Sequence, residues 1–265
     1  MTKAGKIRIG VGGWTYEPWR GVFYPEKWPQ KRELEYASHR LTSIEINGTY
    51  YGSQKPESFA KWRDETPPDF VFSLKAPRFA TNRKVLASAG ESIERFFASG
   101  VMELGDKLGP INWQFMQTKS YDAEDFAAFL ALLPRSVDGR PLRHVVEVRH
   151  DSFRSPEFVA LARAQGVAIV MAADGAYPQI ADPTASFVYA RIMGTQEGEA
   201  QGYSTTALDA WAKRAQAWAK GQAPSGLDYV EKAAAGAPRD VYLYVISGHK
   251  AMNPAAAMAL IERTR

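Results

Sequence analysis

A regular alternation of short β-type runs with helix-type stretches is the feature that most constrains this chain. The β-type runs are rich in β-branched and aromatic residues, which favour extended backbone. Eight of them follow one another along the sequence: residues 7–12, 43–47, 70–75, 111–116, 144–149, 167–172, 187–192 and 241–246. Because strands joined through helices pair in parallel, the alternation predicts a parallel sheet.

Helix-type stretches occupy all but one of the connections. They span residues 31–39, 56–64, 91–107, 123–133, 156–165, 206–220 and 254–263. Ser155 before Pro156 and Asn253 before Pro254 each resemble an N-cap followed by proline at the first helical position. Eight units within 265 residues favour one closed (β/α)₈ barrel, a TIM barrel, over an open sheet of five or six strands. We therefore predict a single domain over residues 1–265, irregular around the sixth connection, which is too short for a full helix.

Composition limits the chemistry and the location. The chain has no cysteine, which excludes disulfides, thiolate nucleophiles, iron–sulfur clusters and cysteine-based zinc sites. No segment approaches the roughly 18 consecutive apolar residues of a membrane span, so we expect a cytoplasmic protein without a membrane partner. The formal net charge of +4 mildly favours anionic partners, although the sequence has no run of five basic residues of the kind common in nucleic-acid binders.

The alternation within each strand predicts a polar row inside the barrel. In the fifth run, Val146 and Val148 suit the helix layer, which leaves Glu147 and Arg149 facing inward. The same parity turns polar side chains of four other runs inward: Glu45, Asn47, Ser73, Lys75, Gln114, Tyr189 and Arg191. Barrel interiors are normally apolar, and barrel enzymes place their sites at the C-terminal strand ends. The row therefore indicates a site there, and Asp174, just after the sixth run, is expected to join it. Arg8, at the opposite end of its strand, is expected to be structural or solvent-facing.

Short motifs recur in order over nearly the whole chain and resemble a known family. They are Gly12-Gly13-Trp14, residues 19–25, Glu45-Ile46-Asn47, Tyr50-Tyr51, residues 70–75, Lys107-Leu108-Gly109, Glu147-Val148-Arg149-His150, Asp174 and residues 189–194. The pattern is similar to that of the YecE-like family, domain of unknown function 72. The resemblance implies a TIM barrel and a distant similarity to sugar isomerases and to metal-dependent endonucleases of the abasic-site type, but no established reaction. The chain departs from the family pattern at Asn82 and Met193, where histidine is common, and at Ile246-Ser247, where an asparagine pair is usual.

Neither a metal nor a cofactor is predicted. The chain has four histidines, and only His150 and His249 fall in loops at the C-terminal strand ends, which is too few for a transition-metal site. Magnesium held by carboxylates stays an open alternative, but Lys75, Arg149 and Arg191 would repel it.

The candidate site residues divide into two groups. Glu45, Lys75, Glu147 and Asp174 are candidates for acid–base catalysis, because burial and neighbouring charges can separate their pKa values. Lys75 could form a Schiff base if its pKa were lowered, although we favour an anion-binding role. Candidate substrate-binding residues combine stacking rings with hydrogen-bonding and cationic groups: Trp14, Asn47, Tyr51, Arg149, His150 and Arg191.

These residues predict binding of a small anionic molecule, such as a phosphorylated sugar or a nucleotide, with isomerase-like or hydrolase-like acid–base chemistry as an open question. A nucleic-acid-binding or endonuclease-like protein is the alternative, in which the aromatic and basic face grips a flipped or single-stranded base. A non-catalytic ligand-binding relative is a third reading. The sequence carries no signal of oligomeric state.

Overall fold

Eight parallel strands close into a barrel within residues 3–231 and 235–265, the part of the chain that this computed structural model describes. The strands are β1 (Ile7–Gly12), β2 (Ser43–Ile46), β3 (Val71–Lys75), β4 (Leu108–Gln114), β5 (His144–Glu147), β6 (Ala168–Ala173), β7 (Phe187–Ile192) and β8 (Asp240–Val245). Each strand pairs with its neighbours in sequence, and β8 pairs with β1 to close the ring. The predicted TIM barrel is confirmed.

Helices lie in the connections between the strands and after the last strand. Those described are α1 (Glu33–Ser38), α2 (Gly48–Tyr51), α3 (Pro56–Asp64), α4 (Arg78–Thr81), α5 (Gly90–Ala98), α6 (Ala123–Leu132), α7 (Pro156–Gln165), α8 (Thr205–Ala219) and α9 (Asn253–Thr264). Short 3₁₀ helices lie at Glu17–Trp19, Gln30–Arg32, Leu86–Ala89, Val101–Lys107, Asp151–Phe153 and Lys250–Met252. A two-residue antiparallel pair, Ser136–Val137 with Arg140–Pro141, precedes β5. As predicted, the connection between β6 and β7 contains no helix.

Two differences from the sequence prediction involve glycine. Strand β4 begins at Leu108, three residues before the predicted start. Gly109 therefore lies inside the strand, where the packing against β3 leaves no space for a side chain: a Cβ atom at Gly109 would lie 2.6 Å from the Phe72 carbonyl oxygen. The predicted helix over residues 91–107 is instead α5 and a 3₁₀ helix, separated at Gly100, whose φ of +100° favours glycine.

One of the two predicted N-caps is confirmed. The Ser155 side chain accepts a hydrogen bond from the Phe158 backbone N–H at 3.2 Å and so caps α7. The prediction for Asn253 was wrong, because Asn253 is itself the first residue of α9. Its Oδ1 accepts a hydrogen bond from the Thr195 hydroxyl at 2.7 Å, so the side chain ties the helix to the loop after β7 instead.

The strand parity is confirmed on both sides of the barrel wall. Ile44, Ile46, Val146 and Val148 pack into the large core between strands and helices. A separate, smaller cluster fills the barrel interior, and its buried members include Val71, Val145, Ala168, Val170, Phe187, Tyr189, Tyr242 and Tyr244. The polar row therefore stands on a packed apolar and tyrosine floor, not above an open channel.

Tyrosine and serine hydroxyls form the layer beneath the charged row. The Ser43 hydroxyl hydrogen-bonds to that of Tyr244 at 2.7 Å, and the Ser73 hydroxyl to that of Tyr189 at 2.8 Å. At the opposite end, Arg8 donates to the Asp69 carbonyl at 2.6 Å, in agreement with its predicted structural role. The hydroxyls of this layer are therefore hydrogen-bonded to one another.

No helix in the described ranges is both long and apolar enough to cross a lipid bilayer.

Candidate functional site

Arg191 on β7 bridges two carboxylates across the barrel interior. Its Nη2 lies 3.0 Å from Oε1 of Glu45 on β2, and its Nη1 donates to Oε2 of Glu147 on β5. Arg191 is 4% exposed, and the carboxylates are 0% and 1% exposed. A guanidinium has the geometry to satisfy two separate carboxylates at once, so Arg191 joins three strands that share no direct pairing with one another.

Glu147 is held as a permanent anion. Arg149 Nε donates to its Oε1 at 2.8 Å, and Asn112 Nδ2 donates to its Oε2 at 3.0 Å. Burial alone would raise the pKa of Glu147, but Arg191 and Arg149 outweigh it and lower the pKa to about 2. A carboxylate with this pKa is ionised throughout the physiological range. Glu147 is therefore suited to holding Arg149 and Arg191 in position, and it is poorly suited to the acid–base role that the sequence predicted.

Glu45 is tied to the hydroxyl layer below it. The Tyr189 hydroxyl donates to its Oε2 at 2.5 Å and is itself hydrogen-bonded to Ser73. Glu45, Glu147, Arg149 and Arg191 of the predicted polar row therefore form one hydrogen-bonded network. It does not include Lys75 by direct contact.

Lys75, the last residue of β3, is the one cation of the predicted polar row that pairs with neither Glu45 nor Glu147. It is 7% exposed, and while its backbone carbonyl accepts a hydrogen bond from the Thr49 hydroxyl at 2.6 Å, its Nζ makes no hydrogen bond or ion pair with the residues in ranges 3–231 and 235–265. Its Nζ lies 4.4 Å from the centre of the Tyr50 ring. Burial, followed by the charge of Arg191, lowers the pKa of Lys75 to about 8, although Glu45 and Glu147 oppose that shift.

A depression of about 480 Å³ opens above this network at the C-terminal strand ends. We call it the central pocket, and its lining is Gly12, Asn47, Tyr51, Lys75, Gln114, Arg149, Tyr177, Arg191, Ile246, Ser247, Lys250 and Asn253. Four of these residues are cationic and none is acidic, because Glu45 and Glu147 lie beneath the surface. Two carboxylates offset only two of the cations, which leaves the pocket electropositive.

Aromatic rings hold the rim cations in place. The Arg149 guanidinium lies 4.2 Å from the centre of the Tyr177 ring. Lys250 Nζ lies 4.1 Å from the centre of the Tyr16 ring, while Trp19 Nε1 donates to the Lys250 carbonyl at 2.9 Å. The long loop after β1 therefore fixes a cation that belongs to the loop after β8.

Buried amide oxygens at the pocket lack partners among the described residues. They are Oδ1 of Asn47 and Oε1 of Gln114, and Oδ1 of Asn112 lies unpaired in the layer below. Arg191 Nε is unpaired as well. Buried polar atoms in native proteins are nearly always hydrogen-bonded, so unpaired acceptors at a pocket indicate a bound molecule or water that carries donors. Hydroxyl groups are suitable donors.

Asp174 and His150, two of the predicted site residues, do not line the central pocket. Asp174 is exposed and accepts a hydrogen bond from Tyr203 at 3.0 Å, so the prediction that it joins the charged row was wrong. Asp174 has a left-handed backbone conformation, with φ +59°, so the alternation of side chains along β6 does not continue to this residue. His150 hydrogen-bonds to the Ser152 hydroxyl and N–H and so caps a 3₁₀ helix.

Trp14 lies in a second depression beside the first. This tryptophan cavity has a volume of about 340 Å³ and is lined by Gly13, Trp14, Thr15, Gly48, Gln54 and Trp62, together with Ile46 and three residues shared with the central pocket. Tyr51, the other predicted stacking residue, is 64% exposed on the rim of the central pocket. The two predicted rings therefore belong to neighbouring compartments.

Sequence reasoning missed the contribution of the last loop. Ser247, Lys250 and Asn253 all line the central pocket, and the only signal for them was their position directly after a predicted barrel strand, where such sites are built.

The histidines do not converge. Across the described ranges, no three side chains of the types histidine, aspartate and glutamate come together as a metal site. His144 lies on the helix side of β5, accepts a hydrogen bond from Trp113 Nε1 at 3.1 Å, and has its pKa lowered to about 4 by burial. At the positions where the family commonly has histidine, Asn82 is exposed and Met193 packs into the barrel interior.

Comparison with known proteins places the chain in a family. A family model described as "Protein of unknown function DUF72" matches residues 8–265. The UPF0759 protein YecE of Escherichia coli is 28% identical over 152 residues, which cover 56% of this chain and 50% of YecE. The UPF0759 protein YunF of Bacillus subtilis is 26% identical over 157 residues, 57% of this chain and 54% of YunF. The matched part of the chain spans about half the length of these curated relatives.

Solved structures support the same fold. A DUF72 family protein of Thermotoga maritima has a TM-score of 0.70 and 22% identity, with 97% of each chain covered. A DUF72 family protein of Enterococcus faecalis has a TM-score of 0.70 and 16% identity, with 98% of each chain covered. At these identities the likeness concerns the fold.

Proposed function

We propose that this chain, which belongs to the DUF72 family, binds a small hydroxylated anion in its central pocket. The observation that carries the proposal is the surplus of positive charge: Lys75, Arg149, Arg191 and Lys250 line the pocket without an acidic side chain. A buried or half-buried cation binds an anion strongly, because the low local dielectric strengthens charge-assisted hydrogen bonds.

The neutral groups of the pocket favour a ligand with hydroxyls. The unpaired carbonyl oxygens of Asn47 and Gln114 accept hydrogen bonds and donate none, so they complement O–H groups. A volume of about 480 Å³ lies within the usual range of roughly 300–1,000 Å³ for small-molecule sites. A phosphorylated sugar or a nucleotide has the required size, charge and hydroxyls.

Within the proposed site, Lys75 is the group suited to transfer a proton. Its pKa of about 8 lies close to neutral pH, where acid–base groups work best. Glu45 and Glu147 are instead engaged with Arg191 and Tyr189. If the bound molecule reacts, we infer that its proton moves through Lys75, with isomerase-like or hydrolase-like chemistry as the classes to test.

Titration calorimetry with inorganic phosphate, ribose 5-phosphate and glucose 6-phosphate tests the binding proposal. We expect Lys75→Gln and Arg149→Gln to weaken binding of the sugar phosphates by about tenfold or more, since each removes a hydrogen bond to a charged group worth roughly 1.5–3 kcal/mol. Arg8→Gln, at the far end of the barrel, is the matched control and should bind as the wild type does. The proposal fails if none of these anions binds, or if Arg8→Gln weakens binding as much as the pocket variants.

A nucleic acid is the alternative partner, and the same titrations distinguish it. A protein that grips several phosphates loses affinity steeply with salt, because counterions are released along the whole contact. A pocket that holds one phosphate should show a shallow dependence. Tight binding of a single-stranded oligonucleotide with a steep salt slope, together with no binding of sugar phosphates, would favour the nucleic-acid reading.

A further inference from the structure

The central pocket and the tryptophan cavity lie side by side. Gly12, Asn47 and Lys250 line both, so these three residues form the junction between them. Gly12 carries no side chain at this junction, and a Cβ atom there would come within 2.8 Å of Asn47 Nδ2. A ligand that crosses this junction would contact the Gly12 backbone and the Asn47 side chain.

The two compartments differ in chemistry. The central pocket is electropositive, as described above. The tryptophan cavity has Lys250 at its boundary as its one charged lining residue among those described, and two half-buried indoles, Trp14 and Trp62, form its walls. Their ring centres are 5.3 Å apart in an edge-to-face arrangement, which fixes the orientation of both rings.

Amide groups accompany the indoles. Gln54 lines the cavity half-buried, and the buried Oδ1 of Asn47 lies at the junction without a partner. Asparagine and glutamine amides pair with the donor and acceptor edge of a nucleobase, while aromatic rings stack on its face.

We propose that the ligand is a nucleoside phosphate, with its base in the tryptophan cavity, its ribose at Gly12 and Asn47, and its phosphate among the cations of the central pocket. This inference rests on the proposed function, and it narrows the ligand from hydroxylated anions in general to those that carry a base. The free energy of binding then comes from both compartments, so phosphate and base each contribute to affinity.

Calorimetric titration of the full chain with the four ribonucleoside 5′-monophosphates and with ribose 5-phosphate separates the two contributions. At least one nucleotide should bind about tenfold or more tightly than ribose 5-phosphate, a factor that a single base stack supplies. Trp14→Leu should bring that nucleotide to the affinity of ribose 5-phosphate while leaving ribose 5-phosphate itself unchanged. Trp28→Leu is the matched control, because Trp28 packs on Tyr36 and lines neither compartment.

A second variant guards against loss of folding. Trp14 also packs near Phe72, so its removal can loosen the barrel, whereas Gln54→Ala removes only a half-buried amide. Gln54→Ala should likewise reduce the preference for the nucleotide over ribose 5-phosphate. The inference is overturned if ribose 5-phosphate and all four nucleotides bind equally, or if both variants keep the wild-type preference. In those cases the anion site still stands, whereas absence of binding by every phosphate compound would refute both proposals.

Discussion

Removing the Arg191 side chain takes away the cation that two buried carboxylates share. We expect Arg191→Met to lower the free energy of unfolding by about 3–5 kcal/mol, because an uncompensated buried charge costs that much. Urea unfolding measures the change, with Arg8→Met as the control at the other end of the barrel. Adding Glu45→Gln and Glu147→Gln to Arg191→Met should recover part of the loss. A loss below about 1 kcal/mol for the single variant would contradict the bridging role.

Lys75 makes stability depend on pH in a definite direction. Its pKa is about 8 in the folded protein against 10.5 for an ordinary lysine, so between these values the unfolded chain binds the additional proton. Stability from this group therefore rises with pH across the window from 8 to 10.5. Relative to Lys75→Met, the wild type should gain up to about 3 kcal/mol between pH 7.5 and pH 10.5. Urea unfolding of both proteins at these two pH values checks this, and a constant difference would contradict it.

Anion binding should have the opposite dependence on pH. Above about pH 8 Lys75 loses its proton in the free protein and no longer attracts an anion, so the affinity for ribose 5-phosphate should fall as the pH rises. Titrations at pH 7 and pH 9.5 measure this. In Lys75→Arg, which keeps its charge across this range, the decrease should be much smaller, and an equal decrease would assign the pH effect to another group.

At the residue scale, strand parity predicted most of the site. It turned Glu45, Lys75, Glu147 and Arg191 inward, because side-chain alternation follows directly from extended backbone. Asp174 could not be placed in this way, since its left-handed backbone ends the alternation at the residue itself. Parity also cannot show which charged side chains form ion pairs. That Lys75 pairs with neither Glu45 nor Glu147 is therefore known only from the distances in the structure.

At the scale of elements, the loop between β8 and α9 carries backbone strain at the pocket. Ser247 has φ +55°, a conformation that glycine adopts freely and asparagine tolerates. We expect Ser247→Gly and Ser247→Asn each to raise the free energy of unfolding by about 0.5–1 kcal/mol. Ser247→Ala keeps the strain and should give no gain. Thermal unfolding of the three variants is the measurement, and stabilisation by alanine would show that loss of the hydroxyl, and not backbone relief, is responsible.

Elements were predictable where the strands are short, β-branched and flanked by turn residues. The strands from residue 7 and from residue 187 match the structure to the residue. Errors arose at Gly109 and Gly100, because a glycine that permits close packing inside an element is indistinguishable in sequence from one that ends it. The N-cap role predicted for Asn253 was wrong because its side chain binds Thr195, a residue far away in the sequence that local patterns cannot identify.

For the molecule as a whole, we predict that activity and stability do not depend on a transition metal. The cations of the central pocket repel a metal ion, and the described residues bring no group of histidine and carboxylate ligands together. Elemental analysis of protein purified without chelator should find no stoichiometric zinc, manganese or iron, and dialysis against EDTA should leave the melting temperature unchanged. Stoichiometric metal that survives dialysis would contradict this and revive the endonuclease-like reading.

The pairing of β8 with β1 has a consequence for how the chain is made. A nascent polypeptide that has left the ribosome only as far as β7 has two open sheet edges, at β1 and β7, and such edges invite pairing with other chains. The pocket cations come from β3, β7 and the segments after β5 and β8, so the site too is incomplete until the final strand is translated. Slow translation of the segment before β8 would therefore prolong the interval in which the growing chain most needs a chaperone.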